Sequence, residues 1–190
     1  SAFNEFIRQA DKATIELPEK ALWIAEARTL RAFCWLDAID NYGNVPFADE
    51  TAVVGADIPK QISRKDLFNY IESECLELLE GSDLYEVGQS PYGRVNKGTV
   101  IMILAKLYLN AEVYTGTAKY QECADVLAKL DGKYSLHNKY QELFLADNHK
   151  CTDEIIWSVE QDGNDVQSYG VTNYLIFACT GGDMDTKEIG

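Results

Sequence analysis

Carboxylates dominate the reactive side chains of this 190-residue chain: thirty-one Asp and Glu stand against seventeen Lys and Arg, a formal charge of −14. With that many, some acidic pairs must fall close together. An acid/base couple of the glycosidase kind is one chemistry such pairs perform, against the plainer reading of a solvated acidic surface. Asp183-x-Asp185 followed by Glu188 resembles half of a calcium loop, but Lys187 stands where a ligand oxygen is needed. The five cysteines, at 34, 75, 123, 151 and 179, are odd in number, widely spaced and not clustered with His137 or His149, so the spacing implies neither a zinc site nor a disulfide framework. No G-x-S-x-G, H-E-x-x-H, G-x-x-x-x-G-K-S/T or G-x-G-x-x-G pattern occurs, which leaves nucleophilic, zinc-protease and nucleotide-phosphate chemistry without their usual support. The sequence nominates no catalytic residue, no metal ligand and no cofactor.

Aromatic side chains are the better lead. Three Trp, eleven Tyr and seven Phe exceed what a small helical core consumes, and the apolar faces of sugar rings stack on such groups. Trp23 and Phe33 fall on helical stripes and read as core, whereas Tyr92, Tyr169 and Tyr174 lie in Gly/Asn-rich segments, where side chains more often face ligands. The acidic balance repels phosphate backbones and anionic lipid, which argues against a nucleic-acid partner. No apolar run approaches the roughly 18 residues that cross a bilayer.

The elements that must position these groups are helices. Phe3, Phe6, Ile7, Ala10, Ala13 and Leu17 predict a helix over 2–16, stopped by Pro18. A second, over 20–42, carries Trp23, Ala27, Leu30, Cys34 and Ala38 on one line with Leu22, Ala25, Phe33 and Leu36 beside it; so wide an apolar face predicts burial on more than one side. Gly43, Pro46 and the 55–59 region read as a long loop. Ser63-Arg64-Lys65-Asp66 is a capping-box signature opening a third helix over 64–80, closed by Gly81. Asn96 opens a fourth, with Val100, Ile103, Leu104, Leu107, Ala111 and Tyr114 before Gly116, and a fifth begins at Thr117, with Tyr120, Cys123, Ala124, Leu127 and Leu130 before Gly132. Cys34, Cys75 and Cys123 all fall on apolar stripes and read as core. The last two helices form an antiparallel hairpin of about 35 residues, near the tetratricopeptide period, with Leu104, Leu107, Ala124 and Leu127 facing one another. Beyond Gly132, Tyr134, Tyr140, Leu143 and Phe144 suggest a short helix, 154–159 a strand, 162–165 a turn and 171–178 a second apolar run. The fold class is mainly α: a tetratricopeptide-like array of antiparallel helix pairs with irregular loops and one or two short strands. The array spans 1–132, and 133–190 continues the same domain as a truncated end. Arg28 and Arg31, three apart on a largely apolar helix, should find at least one carboxylate partner.

Three stretches in order resemble the SusD/RagB family of outer-membrane nutrient-uptake proteins. The first runs from Ala25-Glu26-Ala27-Arg28 through Leu30-Arg31-Ala32-Phe33 to Asn41-Tyr42-Gly43-Asn44-Val45-Pro46, with Asn44 where the family commonly has Asp. The second is Gly93-Arg94-Val95-Asn96-Lys97-Gly98 with Leu104-Ala105-Lys106-Leu107-Tyr108-Leu109. The third joins Tyr134-x-Leu136, Tyr140 to Phe144 and Glu154-Ile155-Ile156-Trp157. The resemblance implies a surface-exposed lipoprotein that captures oligosaccharide without turning it over and covers a SusC-like TonB-dependent outer-membrane transporter as a lid. Its membrane attachment would be through a lipid anchor outside this chain.

On this reading the chain is the N-terminal tetratricopeptide-like part of a longer protein, and the family's glycan contacts come largely from before Asn4 and after Gly190. By position near the expected edge, Tyr174, Asp183 and Asp185 are the candidate glycan contacts, and the chain by itself should bind oligosaccharide weakly or not at all although the intact protein binds it. The competing readings are an intracellular tetratricopeptide-type scaffold and a helical-array glycoside hydrolase.

Overall fold

In the computed structural model, residues 2–52, 55, 58–145, 147–160 and 164 are described. The chain divides into two compact units, 1–158 and 159–190, and of the second only residues 159, 160 and 164 are described. The first unit is an array of helices: α1 (Ala2–Lys12), α2 (Lys20–Tyr42), α3 (Arg64–Gly81), α4 (Lys97–Leu109), α5 (Ala111–Thr115) and α6 (Tyr120–Leu127). Each packs mainly on its neighbour, α1 on α2, α2 on α3, α3 on α4 and α4 on α6. This is the mainly α class that the periodicity predicts.

The helices begin where side chains satisfy their first N–H groups. At α3 the Ser63 hydroxyl accepts from Asp66 N–H at 3.1 Å and donates to the Asp66 carboxylate at 2.6 Å, while Asn44 Oδ1 accepts from Arg64 N–H at 2.8 Å. At α4 Asn96 Oδ1 accepts from Gly98 N–H at 2.7 Å and Thr99 Oγ1 accepts from Asn96 N–H at 3.4 Å, a full capping box. Gly116, at φ +80°, ends α5 in the left-handed region that a side chain resists.

The core is one cluster. Ala25, Ala32, Leu36 and Ile39 of α2 meet Leu67, Phe68, Ile71, Cys75 and Leu78 of α3 and Val100, Ile103, Leu104 and Leu107 of α4. Two small residues on α2 let it lie close to its neighbours, and the Thr29 hydroxyl between them is satisfied by Ala25 O at 2.9 Å.

Several expectations are corrected. The first helix stops at Lys12 rather than 16: Ala13 N–H bonds to Ala10 O in a tighter turn, and Ile15 is exposed. The buried stripe of α2 runs 25, 29, 32, 36, 39, so Cys34 and Phe33 face outward and Cys34 is not core, unlike Cys75 and Cys123. The fourth helix is interrupted at Asn110, whose side-chain amide donates to Lys106 O at 2.9 Å. α6 starts at Tyr120, not Thr117, because the Thr115 hydroxyl captures Thr117 N–H at 3.1 Å. The face of α6 that meets α4 carries Cys123 and Val126, and the Cys123 thiol donates to Ala105 O at 3.3 Å; Ala124 and Leu127 are exposed.

The strand prediction is displaced as well. Residues 154–159 are irregular, and the two short strands lie in the stretch read as a loop: β1 (Val45–Pro46) pairs antiparallel with β2 (Gln61–Ile62), with Val45 opposite Ile62. The short helix expected near 140 is a 3₁₀ turn, Tyr140–Phe144. The predicted run 171–178 and, apart from Asn164, the predicted turn 162–165 lie outside the described residues.

Candidate functional site

Two buried or half-buried ion networks set the frame. Arg31, nearly inaccessible within α2, pairs with Glu50 and with Glu74 at 2.8 Å, and donates to Asn4 Oδ1 at 3.1 Å. Arg28, one turn earlier, takes the other oxygen of Glu74 at 2.7 Å and Glu77 at 2.7 Å. Both arginines therefore have carboxylate partners, all from other elements, as the buried-helix argument requires. Burial works to raise the Glu74 carboxyl, but hydrogen bonds from Arg28 and Arg31 outweigh it and hold the group below the usual range. The second network joins Glu26 of α2 to Arg94 just before α4, with Arg94 Nε to Glu26 Oε1 at 2.6 Å.

That Glu26–Arg94 pair is where the three resembling stretches converge. Glu26 belongs to the first and Arg94 to the second; Trp157, from the third, donates its indole N–H to Gly93 O at 3.1 Å. Together they hold a cleft of about 170 Å³ between the 88–96 loop and the 149–158 segment. Gly98 packs behind three residues of its lining, Asn96, Tyr134 and Ile156. A Cβ there would stand 2.8 Å from Asn96 Oδ1 and 3.1 Å from Ile156 Cγ2, so the first turn of α4 packs this closely against the 154–158 segment only because this residue has no side chain.

The cleft combines rings with polar groups. Tyr92 is 51% exposed at the rim and meets His149 edge to face, ring centroids 6.4 Å apart at 73°. Ser90 Oγ accepts from Asn96 Nδ2 at 2.8 Å. The Tyr134 hydroxyl is buried at the base, close to Asn96 and Gly88 but without a hydrogen bond of good geometry to either, and burial pushes this phenol upward. On the other side of Trp157 lies a hollow of about 410 Å³ of different character, lined by Phe33, Met102, Ile103, Ile155 and Ile156, with Phe33 packed edge-on to Trp157 at 5.6 Å.

The outer wall of the cleft is tied down by His137. Its Nδ1 meets Asp153 Oδ1 at 2.9 Å, its Nε2 meets Glu142 Oε2 at 2.9 Å, and its backbone N–H donates to Glu154 Oε2 at 2.7 Å. The carboxylates of Glu142 and Asp153 push the imidazole upward from its ordinary value, and His137 in turn holds both carboxyls down. Among the described residues no group of three His, Cys, Asp or Glu is arranged to hold a metal ion.

Of the residues singled out as ligand-facing from the sequence, Tyr92 sits on the cleft, while Tyr169 and the candidate contacts Tyr174, Asp183 and Asp185 lie outside the described residues. The sequence reading missed Arg94, His149 and Trp157 as members of one site. Gly93-Arg94 and Trp157 carried a signal, since both lie in the resembling stretches; His149 carried none.

No family model matches the chain. Among curated proteins it is 36% identical over 178 residues to the starch-binding protein SusD of Bacteroides thetaiotaomicron, covering 92% of this chain and 31% of that protein. Among solved structures it is similar to a laminarin-binding SusD-like protein (TM-score 0.70, 22% identity, 88% of this chain and 37% of that one) and to a SusD-like protein from Bacteroides fragilis (TM-score 0.68, 24% identity, 86% and 32%). A third is surface glycan-binding protein A from Bacteroides thetaiotaomicron in complex with laminarihexaose (TM-score 0.60, 23% identity, 76% and 29%). The chain spans about a third of the length of these relatives.

Proposed function

Because the chain is a SusD homologue with a mainly helical, SusD-like fold, we propose that it belongs to a non-catalytic, carbohydrate-binding component of an outer-membrane importer. The observation that carries this reading is the 36% identity to a starch-binding protein along 92% of the chain. The convergence of the three resembling stretches on Glu26, Arg94 and Trp157 supports it, since residues that hold one another together account for motifs far apart in sequence. In this proposal the protein is displayed at the cell surface through a lipid anchor outside the chain. It presents oligosaccharide to a SusC-like TonB-dependent transporter, and 1–190 forms one domain, an array over 1–132 continued by 133–190. Tyr174, Asp183 and Asp185 enter as sugar contacts, to be tested by alanine replacement.

A glycan array probed with the full-length protein tests the reading. Binding to neutral oligosaccharides, with no reducing sugar released and with a barrel-type transporter co-purifying from outer membranes, is the expected result. A protein that binds no glycan, or that hydrolyses one, overturns it.

A further inference from the structure

The cleft behind Tyr92 has features that a purely structural junction does not require. Its walls are fixed before any ligand arrives, by the Trp157 bond to Gly93 O, the Arg94 pair with Glu26 and the Asn96 bond to Ser90. Rigid walls remove the ordering cost that weakens binding. At the base lies the Tyr134 hydroxyl, buried and lacking a well-formed partner, an arrangement that is costly unless something else completes it. At the rim Tyr92 offers half its surface, and its contact with His149 orients the ring.

Size and charge narrow the ligand. A volume of about 170 Å³ is below the roughly 300–1,000 Å³ of clefts that enclose drug-sized molecules, which suits one ring or chain end. Arg94, the guanidinium on the wall, is already neutralised by Glu26, and the chain as a whole carries −14, so nothing favours a uronate or sulfated sugar.

We propose that the cleft rimmed by Tyr92 and His149 is a subsite for a single neutral sugar ring, held by stacking on Tyr92 and by a hydroxyl bonded to Tyr134. This rests on the carbohydrate-binding reading above, and it names contacts within residues 88–158, in addition to the candidates Tyr174, Asp183 and Asp185.

The test is a heteronuclear NMR titration of the 190-residue chain with maltohexaose and with laminarihexaose, beside an oligogalacturonate control. The expected result is perturbation of the amides of 88–96 and 149–158 and of the Trp157 indole, by a neutral sugar and not by the uronate. Tyr92→Ala should weaken the binding about tenfold or more, while Tyr92→Phe keeps it. Tyr134→Phe should weaken it without loss of thermal stability, a separation that a merely structural hydroxyl would not give. Perturbations confined to other residues, a preference for the uronate, or unchanged affinity in both Tyr92→Ala and Tyr134→Phe overturns the proposal. If no sugar moves a cleft signal while the full-length protein binds on the array, the subsite is wrong and the carbohydrate-binding function stands; an array that is also blank removes both.

Discussion

The helical array and the irregular stretch over 131–158 are held together by different means. Inside the array, Val100, Leu104 and Leu107 are fully buried and the embedded guanidinium of Arg31 is matched by Glu50 and Glu74. In the stretch 131–158, Cys151 is the one buried residue among those described, while Leu136, Tyr140 and Phe144 stand open to solvent. What fixes that stretch is a handful of directed bonds: Ser135 N–H to Asp153 O, His137 to Asp153 and Glu142, and Trp157 to Gly93 O. Apolar burial is non-directional and indifferent to pH; such bonds are directional, and those of His137 with Asp153 and Glu142 depend on pH as well. The cleft therefore has one wall set by the array and one that answers to chemistry around it.

The largest effect should come from the array's ion network. Glu74→Ala strips the shared partner from Arg28 and Arg31, leaving the more buried guanidinium with Glu50 as its carboxylate and the neutral Asn4 Oδ1 beside it. Removing one side of a buried pair costs about 3–5 kcal/mol, and a urea-unfolding loss below about 1 kcal/mol would show that Glu77 and Glu50 take over the charge. Leu107→Ala should cost about 2–5 kcal/mol, since the side chain is fully enclosed in the core. Leu127→Ala, on a residue 37% exposed, should cost less than about 1 kcal/mol. Equal losses at 107 and 127 would mean that α6 presents a different face to α4.

How much of this could be read from the sequence follows from the same contrast. α2, α3 and α4 are legible because apolar periodicity and the cap residues Ser63 and Asn96 act within a few positions. Which side of a wide stripe is covered is not, because it depends on neighbours; hence Cys34, Ala124 and Leu127 fall outside the core although their spacing fits it. The pair β1 and β2 is two residues long on each side and contains Pro46, too little for a period-2 pattern to show. The cleft unites Tyr92 with His149, 57 positions apart by their numbers, and no local rule joins them. Tyr92 was legible as a loop aromatic among glycines; the partner that gives it a site was not.

A smaller effect isolates the junction between the two regions. Trp157→Phe keeps a ring against Phe33 and removes only the indole bond to Gly93 O. The expected cost is about 1 kcal/mol, with faster amide exchange in 88–96 and 154–158 and none in α4. Exchange that speeds up equally in α4 would mean that the cleft wall and the array open as one unit.

The smallest effect on global stability, and the sharpest test of the contrast, is the pH response of His137. Glu142 and Asp153 raise the imidazole above its ordinary 6.5, so its contribution is complete below that pH and is lost as pH rises through the raised value. The carboxyls of Glu142 and Asp153 are lowered from 4.5 and 3.8, so their contribution is present above those values and is lost as pH falls through the depressed ones. The two dependences overlap in a mildly acidic window, where the wall should be firmest. Hydrogen-exchange protection of 151–157 should be greatest there and decline towards alkaline pH, while protection of α3 and α4 stays level. His137→Gln keeps a polar group but cannot carry the charge, and it should flatten the profile. An imidazole midpoint measured by NMR at or below 6.5, or a profile unchanged in His137→Gln, would show that the wall is held by its backbone bonds and not by the proton.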